Sequence, residues 1–445
     1  MSENGRFSRR LVLKGAAGTM VLVGLAPVLA PGARAQEPVT LTVWDNWTRD
    51  VDDALIEQLD REFMDAHPGV TIDRIAKSFG DLKATAKLAM SSPDGPDLIQ
   101  INQGMSDMGA MAQAGLLTDL GPYAERYGWL KKLPPSMVAR NSLGDDGKQM
   151  GEGILYGMPL TAEFVGVYFN RQKLADLGIE TPKTMAEFEA ALDALLAAGE
   201  IPIAFGDLGQ DPAIHTYGEI EGLYVDTKYL DDLVYGRPGA TFDTPQNVEA
   251  AAKLQEWVDK GYFTPDFLGI STEDMAAMFQ DGQGATMITG SWFSSMLSEG
   301  DPEQFGFFLF PPLEEGTNKP IVAGTSMAYA IRAGSPNPDL AAEYIDWLVS
   351  PRAVQGFADN GTVPLGVDAD MATPGTLFAD IVAAWNHINE TDSAGHYLDW
   401  ATPTFYDTLT ASLTELLAGV ITPEEFVAKN QADYGAYLAQ KEASA

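Results

Sequence analysis

The chain of 445 residues carries 63 Asp and Glu against 28 Lys and Arg, a formal net charge of −35, with 45% hydrophobic residues and no cysteine. A folded chain of this length outgrows one compact core, so two domains or a large two-lobed body is expected. Disulfides, cysteine-ligated metals and thiol nucleophiles are excluded, and the acidic balance argues against nucleic acid or an anionic membrane surface, whose phosphates need a basic face.

Residues 6–14 read Arg-Phe-Ser-Arg-Arg-Leu-Val-Leu-Lys, followed by sixteen small or apolar residues, Gly15 to Ala30, and then Ala33-Arg34-Ala35. A charged start, an apolar stretch and an A-x-A site predict a cleaved leader over residues 1–35. The paired Arg9 and Arg10 after Ser8 resemble a twin-arginine export signal. The apolar run falls short of the ~20 residues that span a bilayer, and no later segment is long and apolar enough. The mature chain is therefore expected to be a periplasmic monomer that is not membrane-inserted.

Val39 to Val43 alternates apolar and polar residues with period two, as a strand does. Val51, Leu55, Leu59 and Phe63 then recur on one helical face until His67-Pro68-Gly69 ends the helix. Val70–Ile75 predicts a second strand, a Lys-Ala-Thr-Ala-Lys-Leu-Ala-Met segment a helix ending near Ser91, and Leu98–Ile101 a third strand. This rhythm predicts an α/β fold with right-handed crossovers and a mostly parallel sheet. Gly144 to Gly153 reads as a flexible surface loop. Thr184 with Glu187 forms a capping box before Phe188, Ala191, Leu192, Leu195 and Leu196, and Gly199 closes that helix. Ile201–Phe205 predicts another strand; Asn337-Pro338 and Thr422-Pro423, with Glu425, mark further helix starts.

Ligands of open α/β sheets collect beyond the carboxyl ends of the strands. Four such ends carry Trp44-Asp45-Asn46-Trp47, Asn102-Gln103-Gly104, Gly206-Asp207 and Gly290-Ser291-Trp292. Indole faces with amides and carboxylates, and few bases, suit a neutral polyhydroxylated ligand. Buried indoles and solvated loop acids would account for any one of these ends, but less readily for four together.

The residues that follow one another along the mature chain resemble a known family. Leu41-Thr42-Val43-Trp44, Phe63 to Val70, Ala114 to Leu120, Tyr156-Gly157-Met158-Pro159, Val167-Tyr168-Phe169-Asn170, Gly284 to Met287 with Gly290-Ser291-Trp292, and Ala341 to Ile345 with Ser350-Pro351 stand in the order and spacing of the extracellular carbohydrate-binding proteins of ABC transporters, the class that includes the maltose receptor. The resemblance implies a two-lobed periplasmic-binding-protein fold with a hinge crossed near Pro159–Phe164, Ala323–Ser326 and Pro364. Lobes would comprise residues 36–162 and 324–364, and residues 163–323 and 365–445. It also implies a sugar in the cleft, held by Trp292 as a stacking platform, with Trp44, Asp45, Asn46, Gln103, Glu163, Asp207, Thr325, Ser326 and Trp400 around it. His215 and Tyr217 carry less weight. The implied partners are a neutral mono- or oligosaccharide and the permease of an importer; no cofactor or metal is expected.

Two rivals are distinguishable. A glycosidase needs two carboxylates about 5 to 10 Å apart; Glu163 and Asp207 are nameable, yet binding alone explains both. Gly324-Thr325-Ser326-Met327-Ala328 departs from G-x-S-x-G at its last position, and the four histidines form no close-spaced pair. The same fold could instead bind a polyamine, which the acidic balance favours, or a sugar phosphate, which it opposes.

Overall fold

A computed structural model describes residues 38–209 and 211–443. The twin-arginine leader lies outside these residues. The described strands, in chain order, are β1 (Val39–Asp45), β2 (Val70–Ala76), β3 (Leu98–Ile101), β4 (Ser142–Leu143), β5 (Ile154–Leu155), β6 (Ala162–Asn170), β7 (Ile203–Ala204), β8 (Thr286–Gly290), β9 (Phe305–Phe308), β10 (Ala323–Thr325) and β11 (Ala328–Ile331).

The first sheet runs β11-β3-β1-β2. Strand β1 lies parallel to both β2 and β3, with Val43 opposite Arg74 on one side and Leu98 on the other. Its period-two pattern works as expected: Leu41, Val43 and Asp45 point into the packed face, while the residues between them do not. The helix Asp50–Ala66 lays Leu55, Ile56, Leu59 and Phe63 against that face. Phe63 meets Tyr344 edge-on at 5.3 Å between ring centres.

The second sheet, β10-β6-β8-β7 with β9 also on β6, departs from the expected parallel order. β6 is antiparallel to β8, β9 and β10, and only β7 and β8 run parallel. Nine residues of β6 form one continuous strand, and the strands that follow it return against it. Period-two alternation carries no strand direction, so nothing local marked this reversal. The Gly144–Gly153 segment also differs from expectation: it is the turn of a β4–β5 hairpin, closed by Gly144 N–H donating to the Gln149 carbonyl at 2.7 Å.

Helix starts follow the capping chemistry. The Glu187 amide donates to Thr184 Oγ1 at 3.2 Å, and the Glu187 carboxylate reaches back to the Lys183 amide at 2.7 Å. At Thr422 the box is reciprocal, with bonds of 2.9 and 3.2 Å. Asn337 caps nothing with its side chain; Pro338 in the first turn begins that helix.

Three chain segments run side by side between the sheets. Met158 bridges Tyr329, Thr161 bridges Pro364, and Ala323–Thr325 pairs with Ala162–Phe164. The Ser326 hydroxyl accepts from the amides of Leu160 and Thr161, each at 3.3 Å. From Pro38 onward the chain packs as one unit, and Trp292 touches both of its apolar cores. Among the described residues no helix is long and apolar enough to cross a membrane.

Candidate functional site

A cavity of about 170 Å³ lies where the loops beyond β1, β3 and β8 meet the crossing segments. The chain after β1 supplies Asn46, Trp47 and Arg49, and the turn after β8 supplies Ser291, Trp292 and Phe293. Each is held from behind. Asp45, fully buried, receives Arg74 through Nε at 2.5 Å and Nη2 at 2.9 Å, which pins the end of β1 to β2. Asn46, next in sequence, therefore faces the cavity, with its amide donating to Gln100 Oε1 at 2.7 Å and its Nδ2 to the Lys77 carbonyl at 3.0 Å. Gly290 lets the Trp292 indole fold back over the strand: a Cβ there would stand 1.8 Å from the ring. Trp400 is seated the same way on Gly104 and Gly324, whose added Cβ atoms would meet it at 2.5 and 2.8 Å.

Four rings form one wall. His215 stands edge-on to Trp292 at 5.0 Å and to Tyr397 at 5.9 Å, and Tyr397 tilts against Trp400 at 5.1 Å. Burial pushes the His215 imidazole down to about 3, so it is neutral near pH 7. Six buried polar atoms on cavity-lining residues have no hydrogen-bond partner: Trp47 Nε1, Arg49 Nε, Thr161 Oγ1, His215 Nδ1, Thr272 Oγ1 and the Tyr397 hydroxyl. Native interiors leave few such groups unpaired, and each costs about 1–3 kcal/mol. These six stand on residues that line one cavity, each atom itself closed off behind the lining.

The carboxylates around the wall are held toward their neutral forms. Burial raises Glu163 to about 7, with the Arg49 charge lowering it and the Asp52 charge raising it. Asp211 and Asp399 each rise to about 6, again chiefly through burial. Asp211 accepts from the Tyr406 hydroxyl at 3.0 Å. Further contacts join the residues of the lining to their surroundings. Ser295 donates to Asp52 at 2.9 Å, Arg49 lies 3.5 Å from Glu273, and the Lys83 ammonium sits 4.4 Å over the Tyr406 ring.

Of the residues expected from sequence, Asn46, Glu163, Trp292, Thr325, Ser326 and Trp400 line this cavity. Thr325, Ser326 and Trp400 stand in its wall almost wholly buried. The structure directs the other four elsewhere. Asp45 is committed to Arg74 and to the Tyr329 hydroxyl at 3.2 Å. Trp44 lies outside the cavity beneath the Lys77 ammonium, 4.1 Å from its ring. Gln103 is buried and spends its Nε2 on Thr325, Ser326 and Asn141. Asp207 is buried with the Thr414 hydroxyl donating to it at 3.2 Å. Tyr217 is core, edge-on to Phe426 at 5.0 Å.

Sequence reasoning underweighted His215 and missed Arg49, Asp211, Tyr397, Asp399 and Tyr406. His215 and Asp211 share the helix Asp211–Glu221; Asp399 lies within the short turn Leu398–Trp400, and Tyr397 immediately precedes it. Proximity to Trp400 was the one available signal.

A family model described as bacterial extracellular solute-binding protein matches residues 46–355. The multiple sugar-binding protein of Streptococcus mutans serotype c is 23% identical over 364 residues, which cover 79% of this chain and 82% of that protein. Among solved structures, a chitin oligosaccharide binding protein superposes with a TM-score of 0.78 at 25% identity, over 90% of this chain and 99% of that one. A sugar transporter of Bacillus licheniformis in complex with stachyose gives 0.68 at 20% identity, over 90% and 100%.

Proposed function

We propose a receptor function from the premise that the chain belongs to the bacterial extracellular solute-binding protein family: it is the sugar-binding component of an ABC importer, taking a mono- or oligosaccharide into the cavity and passing it unchanged to a permease. The observation that carries this reading is the union of an aromatic wall, Trp292, His215, Tyr397 and Trp400, with the polar side chains of Asn46, Glu163 and Asp211 in the lining of one cavity. Ring faces stack on the C–H faces of a sugar, while its hydroxyls both donate and accept. Two relatives named for sugars, in Streptococcus mutans and Bacillus licheniformis, support it.

Trp292 is the stacking platform, Glu163 and Asn46 accept and donate to hydroxyls, and Thr325, Ser326 and Trp400 shape the wall. We place the lobes at residues 36–162 with 324–364 and at residues 163–323 with 365–445, the three crossings serving as hinge. Closure of this kind is the known motion of periplasmic binding proteins. A guest touching both sides makes more contacts in the closed form, and so shifts the population toward it. Residues 1–35 act as a twin-arginine leader that exports the chain to the periplasm. No bond is broken in the cycle, and a chromogenic glycoside should stay intact with the purified protein.

Saturating saccharide at about 100 times its dissociation constant should add about 2.7 kcal/mol of apparent stability, read as a rise in Tm. Trp292→Ala should weaken binding about 30-fold, or about 2 kcal/mol, as expected of a central aromatic anchor. Gly290→Ala should lose at least tenfold by displacing the same indole, with the β8 register kept. If a saccharide screen leaves Tm unmoved while polyamines raise it, the receptor binds another cargo; if neither variant alters binding, Trp292 is not the platform.

A further inference from the structure

The charge around the cavity is unbalanced in a way that a neutral sugar does not answer. Among the described residues, its lining carries the carboxylates Asp52, Glu163, Asp211, Glu273 and Asp399 against a single permanent cation, Arg49. Arg49 serves one end. It lies 3.5 Å from Glu273, its guanidinium is 4.5 Å over the Phe293 ring, and its charge acts on Glu163 and Asp52. Asp211 and Asp399 stand in another part of the lining, close enough for the charge of Asp211 to act on Asp399, and the charge of Glu273 also acts on Asp211. The cation there is Lys83, which already forms a 2.5 Å ion pair with Asp107. Tyr397 lines the same cavity, 8% exposed, its hydroxyl without a partner among the described residues and under the influence of both Glu163 and Asp399.

Carboxylates removed from water need charge compensation or they neutralise. Sugar hydroxyls can donate to a carboxylate but leave its charge uncompensated, whereas an ammonium both donates and neutralises. A compact ammonium with three donors satisfies two carboxylates and a phenol oxygen together. The overall negative field also concentrates cations at the cavity mouth.

We propose that the cavity prefers saccharides bearing a protonated amine over their neutral counterparts, with the ammonium lodged at Asp211 and Asp399. This rests on the saccharide-receptor reading above and names the ligand class of the same site.

The test is calorimetric titration of the purified protein at pH 6 and low salt with three disaccharides of one linkage: cellobiose, the β-1,4-linked disaccharide of glucosamine, and its di-N-acetyl form. The amine form is expected to bind at least tenfold tighter than the other two. Asp399→Asn and Asp211→Asn should each shrink that ratio to below about threefold, with a far-UV circular dichroism spectrum and a cooperative thermal transition like those of the wild type as the readout of an intact fold. Equal affinities, a tighter acetylated form, or a ratio that survives both variants overturns the proposal. Failure of all three to bind, while some other saccharide stabilises the protein, also overturns the amine preference but leaves the receptor reading standing. Binding of spermidine with no saccharide bound at all would instead remove the saccharide assignment on which the proposal rests, leaving a receptor with another cargo.

Discussion

Arg74→Met is expected to destabilise the protein by about 3–5 kcal/mol, seen as a lower urea midpoint at unchanged m. The guanidinium makes four bonds: two to Asp45, one to Asp53 Oδ1 at 2.6 Å and one to the Trp47 carbonyl at 2.9 Å. Asp45 is fully enclosed. Burial pushes its carboxyl up and Arg74 pulls it back, with help from the Trp47 amide and the Tyr329 hydroxyl. Removing Arg74 therefore leaves a buried charge with only neutral donors, which is why the cost exceeds that of a surface pair, ~0–1 kcal/mol. Adding Asp45→Asn in the Arg74→Met background should recover part of the loss, because the amide carries no charge. The effect should extend to binding, since Asp45 fixes the strand end from which Asn46 and Trp47 enter the cavity. A loss below about 1 kcal/mol would mean that water reaches Asp45, and the anchoring account would fail.

The same pair shows where sequence reasoning reaches and where it stops. Helix boundaries were legible because their causes are local: the hydroxyl of Thr184 and the carboxylate of Glu187 sit three residues apart, and Gly199 adopts φ 83° just past the helix end. Strand positions were also local, down to the exact span of β3. Asp45 was misplaced although period two already put it on the face of Leu41 and Val43; an acid on a buried face has to find a cation, and its cation stands 29 residues away. Gln103 was misplaced for a similar reason, since its partners Thr325 and Ser326 arrive only when the chain crosses back. Trp292 was legible through the Gly-Ser-Trp spacing, and the glycine explains the spacing, because any side chain at 290 would collide with the indole. Tyr397, Asp399 and Tyr406 were not, because they reach the cavity through a return of the chain that no short-range pattern announces.

Stability is expected to fall by a few kcal/mol as pH rises from 5 to 8, with the highest Tm on the acid side of neutrality. Burial raises Asp60, Asp211 and Asp399 to about 6, Glu163 and Asp207 to about 7, and Glu221 to about 8. An unfolded chain releases these six protons near pH 4, so above that the native state binds more protons and loses stability until each folded pKa is passed. Histidine works in the opposite sense. His215 and His396 are pushed down to about 3 and 4, so between roughly pH 4 and 6.5 the unfolded chain holds two protons that the native state does not. Six outweigh two, and above about pH 6.5 the histidines drop out while Glu163, Asp207 and Glu221 continue to act. On the acid side, Glu62 and Glu256, lowered by Arg352 and by Lys260 and Lys253, withdraw their support as pH falls through their folded values, which sets the lower limit of the optimum. Glu221 contributes most: it is fully buried, neither carboxyl oxygen has a partner, and its shift alone amounts to about 3 kcal/mol between pH 5 and 8 at ~1.4 kcal/mol per pK unit. Glu221→Gln should therefore flatten the curve and raise Tm at pH 8, while gaining nothing at pH 5. A wild-type Tm that climbs steadily from pH 5 to 8 would show that these carboxyls ionise freely in the folded chain, and with them the cavity carboxylates Glu163, Asp211 and Asp399.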